Sequence, residues 1–261
     1  MEQLWIPVAV VSAIGLIAGI ILAIVSKVFA VPVDERVEKI RDLLPGANCG
    51  GCGFSGCDGY AAAVAEGAEC SLCTVGGAET AAAVAAVMGV EAGAFVRKVA
   101  VVRCSGSENC TGTHFDYSGY ASCAAAVQLG GGPGACAYGC IGLGDCVAAC
   151  DREAIAVKDG VAVVDPVLCG ACGQCAKVCP KGLIAVLPEK TRAVSCRNTD
   201  KGPAVRKVCS AGCIGCGMCA KTCPSGAIKV ENFLAAIDPA LCTGCGACEE
   251  KCPTKVIHPV G

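Results

Sequence analysis

Residues 209–253 read CSAGCIGCGMCAKTCPSGAIKVENFLAAIDPALCTGCGACEEKCP. Two runs of the pattern Cys-x-x-Cys-x-x-Cys-x-x-x-Cys-Pro lie within it: Cys213, Cys216, Cys219 and Cys223 before Pro224, and Cys242, Cys245, Cys248 and Cys252 before Pro253. This spacing suits a cubane of iron and sulfide, because three closely spaced thiolates wrap three irons while the fourth cysteine ligates the other cluster of a pair. Paired runs therefore imply paired clusters. Zinc is the competing reading of any Cys-x-x-Cys, yet three consecutive thiolates followed by proline are hard to justify for a tetrahedral zinc site.

The stretch is the second copy of an internal repeat. At a constant offset of 73 residues, CAYGCIGLGDCVAAC at Cys136 becomes CSAGCIGCGMCAKTC at Cys209, AIAVKDGVAVVDPVLC becomes AIKVENFLAAIDPALC, and CGACGQCAKVCP becomes CTGCGACEEKCP. Each copy orders a cysteine run, a β-hairpin such as Ile155 to Val164 turning at Asp159-Gly160, and a second cysteine run. A third full run, Cys169, Cys172, Cys175 and Cys179 before Pro180, closes the first copy. The opening run of that copy departs from the pattern: Leu143 stands where the second copy has Cys216, and Asp151 follows Cys150 in place of proline. Cys136, four residues before Cys140, is the nearest thiol that could replace the missing one. A three-cysteine cluster with an open iron is the other reading.

Both copies, residues 136–261, resemble the bacterial two-cluster ferredoxin family. The resemblance implies that Cys242, Cys245, Cys248 and Cys223 hold one 4Fe–4S cluster, and that Cys213, Cys216, Cys219 and Cys252 hold its neighbour. Carried to the first copy, it assigns Cys169, Cys172, Cys175 and Cys150 to one cluster, and Cys140, Cys146 and Cys179 with Cys136 as the candidate fourth ligand to the other.

Nearer the N-terminus, NCGGCGFSGC brings Cys49, Cys52 and Cys57 together, with Cys73 downstream in CTVGG. Gly50, Gly51 and Gly53 allow backbone amides to approach sulfur and satisfy its negative charge. This segment resembles the small four-iron domain shared by the B subunits of Rnf-type electron-transport complexes and by certain corrinoid iron–sulfur proteins. The resemblance implies Cys73, rather than Cys70, as the fourth ligand. Besides Cys70, five cysteines are left over: Cys104, Cys110, Cys123, Cys196 and Cys209. Cys104 and Cys123 lie in the loop before the first copy, and Cys196 and Cys209 in the loop before the second. If these loops meet, the four make a further site, with Cys110 able to substitute for any one of them; unligated thiols are the equal alternative. Five clusters are expected, and a sixth on that condition.

The rest of the composition agrees with a protein organised by its cofactors. Of 261 residues only 4% are aromatic, while Gly numbers 35 and Cys 26, so metal ligation must replace much of the missing core. A formal charge of −2 argues against a nucleic-acid partner, which requires a surplus of phosphate-neutralising cations. Neither a strand followed by GxGxxG nor a Walker loop occurs, so nucleotide and nicotinamide binding are unsupported.

From Leu4 to Val25, LWIPVAVVSAIGLIAGIILAIV contains no charge and is long enough, at about 1.5 Å per residue, to cross roughly 30 Å of hydrocarbon. A cleaved secretory signal is the rival reading, but the stretch exceeds a normal h-region and follows Glu2 rather than a basic segment. Trp5 sits at one end, and Lys27, Arg36, Lys39 and Arg41 follow the other. That asymmetry places the N-terminus outside and the remaining chain on the cytoplasmic side of the cell membrane, where thiols stay reduced. Pro32 and Asp34 mark the start of a short helix ending at Pro45-Gly46.

The expected fold is α+β, in small cluster-organised domains: one transmembrane helix, a small α-helical four-iron domain and two tandem ferredoxin-like domains. The expected boundaries are an anchor at 1–28, a four-iron domain at 29–90, a Cys-rich connecting loop at 91–135, ferredoxin-like domains at 136–188 and 209–261, and a basic linker at 189–208. Taken in this order, the whole chain resembles the B-subunit family of Rnf-type ion-translocating electron-transport complexes. That resemblance implies transfer of electrons from reduced soluble ferredoxin to NAD, coupled to Na⁺ or H⁺ translocation, with the flavin, nicotinamide and ion sites on partner subunits. No catalytic residue is expected in this chain. A redox protein of corrinoid or acetyl metabolism is the alternative, weakened by the anchor and by the lack of a cobalamin-binding segment. Lys190, Arg192, Arg197, Lys201, Arg206 and Lys207, against Glu189 and Asp200, form a basic stretch that could steer an acidic ferredoxin.

Overall fold

Residues 5–28 and 34–261 are described in a computed structural model of the chain. Leu4 and Pro32, and the side chains of Trp5 and Lys27, lie outside the described residues. Helix α1 (Trp5–Val28) runs 24 residues, and its segment Val8–Ser26, with mean hydropathy 2.9, buries nothing against the rest of the chain. A helix apolar on every side has no face to give to water, so it requires lipid or a partner helix around it. It is the one helix among the described residues long and apolar enough to cross a membrane.

Helix α2 (Glu35–Leu43) starts where the Asp34 carboxylate accepts from the Arg36 amide at 2.9 Å. With α3 (Cys57–Ala65) and α4 (Gly77–Met88) it encloses a small core of Ile40, Tyr60, Val64 and Val84. The alanines of α3 and α4 let each of these helices approach α2 closely, and Tyr60 fixes the loop that follows. Its hydroxyl donates to the Glu69 carbonyl at 2.8 Å and accepts from the Leu72 amide at 3.3 Å.

Beyond this domain the order is β1 (Lys98–Val102), α5 (Cys123–Val127), α6 (Asp145–Ala148), the hairpin β2 (Ile155–Lys158) and β3 (Val161–Val164), α7 (Gln174–Val178) and β4 (Ile184–Pro188). The hairpin turns at Asp159 and Gly160, both at positive φ (49° and 77°), as a two-residue turn of that hand demands. Next come β5 (Arg192–Val194), α8 (Gly202–Val208), α9 (Met218–Thr222), the hairpin β6 (Ile228–Glu231) and β7 (Leu234–Ile237), α10 (Ala247–Glu250) and β8 (Ile257–Pro259).

Two stretches expected as connectors carry regular structure. Residues 91–135 contribute β1, which pairs antiparallel with β4, and residues 189–208 contribute β5, which pairs antiparallel with β8. Short β-branched segments such as KVAVV become strands when a distant partner covers them, which local pattern does not show. The registers match: Val102 faces Ile184 and Val194 faces Ile257, and Ile184 and Ile257 are 73 residues apart. Each repeat is thus closed by a strand drawn from the segment before it. Between Val102 and Cys136 the first copy is longer than the second between Val194 and Cys209 by 19 residues.

Four of the nine buried residues of the C-terminal core are cysteines, namely Cys196, Cys213, Cys219 and Cys248. Thiols fill the places that aliphatic side chains would take in a larger domain.

Candidate metal centres

All 26 cysteines are free thiols. Among the described residues no three cysteine, histidine or acidic side chains converge closely enough to hold a single ion. The thiols instead surround spaces, as ligands at the corners of a multi-iron body must. Backbone amides point at several sulfurs: Gly76 to Cys73, Ala171 and Ala100 to Cys169, and Leu183 to Cys179, each at 3.4 Å. Such N–H donors stabilise the negative charge of ligated sulfur. The donor sets therefore fit 4Fe–4S clusters.

Cys49, Cys52, Cys57 and Cys73 line one cavity below Tyr60, at the start of α3 and before α4. The Asn48 carboxamide oxygen holds the entry to α3 by accepting from the Cys57 amide at 2.8 Å. Burial raises Cys73 above the ordinary thiol range, and the neighbouring Cys52, Cys57 and Cys49 add to the rise. Cys70 is not among the residues lining this cavity and packs, partly buried, against the small core.

Cys150, Cys169, Cys172 and Cys175 line a second cavity, whose far wall is Cys49. The Cys49 carbonyl accepts from the Gln174 amide group and the Lys177 ammonium, both at 3.2 Å, so the two domains abut at their cysteine loops. Gly51 permits this approach: a Cβ there would sit 3.2 Å from the Cys172 carbonyl oxygen. Burial pushes Cys175 up to about 11, and the neighbouring Cys169, Cys172 and Cys146 add to the rise.

The third cavity differs in one thiol from the expected set. Cys140, Cys146 and Cys179 line it together with Cys123, and Cys136 is not among them. Burial pushes Cys146 up to about 11, reinforced by Cys140, Cys123 and Cys179. The reason lies in the longer segment of the first copy, which folds back so that α5 begins at Cys123. Asp145 captures it, accepting from Ser122 Oγ at 3.0 Å, the Cys123 amide at 2.9 Å and the Ala124 amide at 3.0 Å. Burial works to raise Asp145, but these hydrogen bonds outweigh it and hold the carboxyl below its usual range. The second copy has Met218 in place of Asp145 and Cys216 in place of Leu143. One copy carries its own thiol; the other carries a carboxylate that fetches one. That exchange was a readable signal, since an acid appears in the run that has lost a cysteine.

Cys136 instead lines a fourth cavity with Cys104, Cys196 and Cys209. This lining differs at one position from the expected set of Cys104, Cys123, Cys196 and Cys209, with Cys136 in the place of Cys123. The Cys140 backbone forms part of the same wall. Cys110 stands just outside, where Ser107 Oγ donates to its sulfur at 3.4 Å and Ser210 joins in lowering its pKa.

In the second copy Cys219 is pushed up to about 11 by burial, and the neighbouring Cys213, Cys216 and Cys252 add to the rise. Cys248 is raised by burial beside Cys242 and Cys223. Cys216 and Cys245 are exposed. On β8, His258 Nε2 meets Ser105 Oγ at 3.4 Å.

Comparison with known proteins gives the same picture. Residues 212–256 match the family of 4Fe-4S dicluster domains, residues 162–185 a 4Fe-4S binding domain, and residues 44–75 an Fe-S cluster family. The chain is 46% identical over 241 residues to the B subunit of the Na(+)-translocating ferredoxin:NAD(+) oxidoreductase complex of Acetobacterium woodii, covering 91% of this chain and 72% of that protein. It is 44% identical to the B subunit of the ion-translocating oxidoreductase complex of Methanosarcina acetivorans, covering 88% and 89% of the two chains. It is also 44% identical to the B subunit of the proton-translocating ferredoxin:NAD(+) oxidoreductase complex of Clostridium ljungdahlii, covering 89% and 83%. Thiol cavities built for iron–sulfur clusters, one membrane-length helix and near full-length similarity agree that the chain belongs to the B-subunit family of ion-translocating oxidoreductase complexes, as an iron–sulfur electron-transfer subunit.

Proposed function

We propose that this subunit accepts electrons from reduced soluble ferredoxin at its C-terminal repeat and relays them toward partner subunits at the membrane, in a complex that reduces NAD and moves Na⁺ or H⁺. Five sets of thiols would hold clusters: Cys49, Cys52, Cys57 and Cys73; Cys150, Cys169, Cys172 and Cys175; Cys123, Cys140, Cys146 and Cys179; Cys213, Cys216, Cys219 and Cys252; and Cys223, Cys242, Cys245 and Cys248. Bound there, 4Fe–4S clusters supply one-electron carriers that neither make nor break a bond to a substrate. The observation that carries the proposal is the adjacency of successive thiol groups: Cys49 lines the Cys150 cavity, and Cys146 and Cys175 share one buried cluster.

Partner names among the relatives, ferredoxin and NAD, support the two ends of the path. At the soluble end, Cys216 and Cys245 are exposed, and Lys201, Arg206 and Lys207 project from the neighbourhood of α8. Lys201 stands 6.0 Å above the exposed ring of Phe233. Two members of the basic stretch are engaged elsewhere, Arg192 with Glu249 at 3.2 Å and Arg197 with the Gly182 carbonyl. The remaining cations suit an acidic redox protein. Residues 4–25 in lipid, with the N-terminus outside, would hold the relay on the cytoplasmic face.

The test is rapid anaerobic mixing with reduced ferredoxin, following the visible bleach of the subunit. Electron uptake that slows with salt, and a weaker salt dependence when Lys201, Arg206 and Lys207 are neutralised, support this reading. Zinc without acid-labile sulfide in anaerobically purified protein would overturn it.

A further inference from the structure

We propose that Cys104, Cys136, Cys196 and Cys209 hold one more 4Fe–4S cluster, shared between the two repeats, which joins their cluster pairs into a single path. The inference rests on the relay function proposed above and adds the site that makes the relay continuous.

The ligand set is built by the repeat itself. Cys136 and Cys209 are equivalent at the offset of 73. Cys104 and Cys196 each stand two residues beyond equivalent strand positions, Val102 facing Ile184 and Val194 facing Ile257. Each repeat thus donates the same two thiols to one cavity. The hydrogen bonds repeat as well: the Cys140 amide donates to Cys104 Sγ at 3.4 Å, and the Cys213 amide, 73 residues on, stands against Cys196. Cys140 belongs to the thiols of the first repeat and Cys213 to those of the second, so the cavity touches a neighbouring ligand set on each side.

The walls fit an anionic cluster. Gly106 lets Cys104 and Cys209 face the same space, since a Cβ there would lie 3.6 Å and 3.4 Å from their sulfurs. Asn198, 1% exposed, aims its carboxamide nitrogen at Cys136 Sγ at 3.6 Å, and its amide donates to Cys196 Sγ at 3.4 Å. Arg103 and Arg197 both line the cavity, and neither forms an ion pair with a carboxylate among the described residues. Two guanidinium groups beside a cavity without an acid are mutually repulsive until something negative occupies it. A thiolate-ligated cluster is negative, and becomes more so by one charge on reduction. In the relay each electron gained from one side is passed to the other, leaving the site unchanged.

The test is iron and acid-labile sulfide on the anaerobically purified full chain. Six cubanes bring about 24 of each, and five bring about 20. Cys104→Ala with Cys196→Ala should remove about four of each, while Cys70→Ser and Cys110→Ser remove none. Wild-type protein with about 20 of each, unchanged in the double variant, would overturn the shared site and leave the electron-carrier function standing. Protein without sulfide would sink both. Should the double variant not fold, Arg103→Gln keeps every thiol and provides a second reading in a redox titration: one reduction step should move to lower potential more than the others. Absence of any such selective shift counts against the site.

Discussion

Replacing Asp145 with methionine, the residue of the second repeat, should release one cluster selectively. The Asp145 carboxylate takes the capping role at the start of α5, whose N-cap residue is Ser122, and accepts three hydrogen bonds between 2.9 and 3.0 Å, two of them from the amides of Cys123 and Ala124. A hydrogen bond to a charged group contributes about 1.5–3 kcal/mol, and loss of an N-cap costs about 0.5–2 kcal/mol. Because Asp145 is partly exposed, a total of about 2 kcal/mol is the reasonable figure after screening. That raises the population in which Cys123 has swung away by about 30-fold. Iron release from holoprotein challenged with a chelator should therefore show one phase, about four irons, accelerated roughly 30-fold, with the remaining phases unmoved. Cys123→Ala should abolish that phase, and Leu143→Cys added to Asp145→Met should return it to the wild-type rate, giving the first repeat the thiol that the second one carries. Release at the wild-type rate from Asp145→Met, or a full iron content in Cys123→Ala, would refute the placement of Cys123 as the fourth ligand.

Tyr60→Phe removes the bond to the Glu69 carbonyl and leaves the Leu72 amide unpaired, which should lower the stability of the first domain by about 1–3 kcal/mol in thermal unfolding. Burial raises the Tyr60 phenol to about 12, so its contribution to stability is complete below pH of about 10 and is lost as pH climbs through about 12; ultraviolet titration should find one tyrosine that ionises late. Gly51→Ala presses a methyl onto the Cys172 backbone, and should cost about 1–3 kcal/mol of domain packing and slow electron exchange between the Cys49 and Cys172 sets, with iron content unchanged. Removing residues 1–28 deletes α1, which no other described element covers, and should yield a protein that leaves the membrane fraction with its full iron and sulfide; loss of iron on truncation would show that the helix does more than anchor.

Much of this architecture follows from cysteine spacing alone. Ligands within one run are a few residues apart, so their arrangement is a local property, and a short helical turn such as α9 or α10 presents them whatever the surroundings. The anchor is equally local, because about 30 Å of hydrocarbon demands a fixed length of uncharged chain. The hairpin turn at Asp159-Gly160 is local as well, since an Asp-Gly pair takes the positive φ that such a turn needs. The 73-residue offset identified both ferredoxin-like units as one design used twice.

Tertiary structure decided everything that depends on residues far apart in the chain. Cys123 and Cys146 are separated by an inserted segment whose path is directed by Asp145, and sequence proximity favoured Cys136 instead. Nor do Cys104 and Cys196 form a recognisable run; they become equivalent through the pairing of β1 with β4 and of β5 with β8. A one-dimensional pattern records thiols that share a turn of chain, whereas a site assembled from two repeats exists when strand pairing across each repeat brings their edges together. The physical reason is the same in both cases: short-range ligation is specified by backbone geometry, and long-range ligation by which loops the folded strands and caps hold side by side.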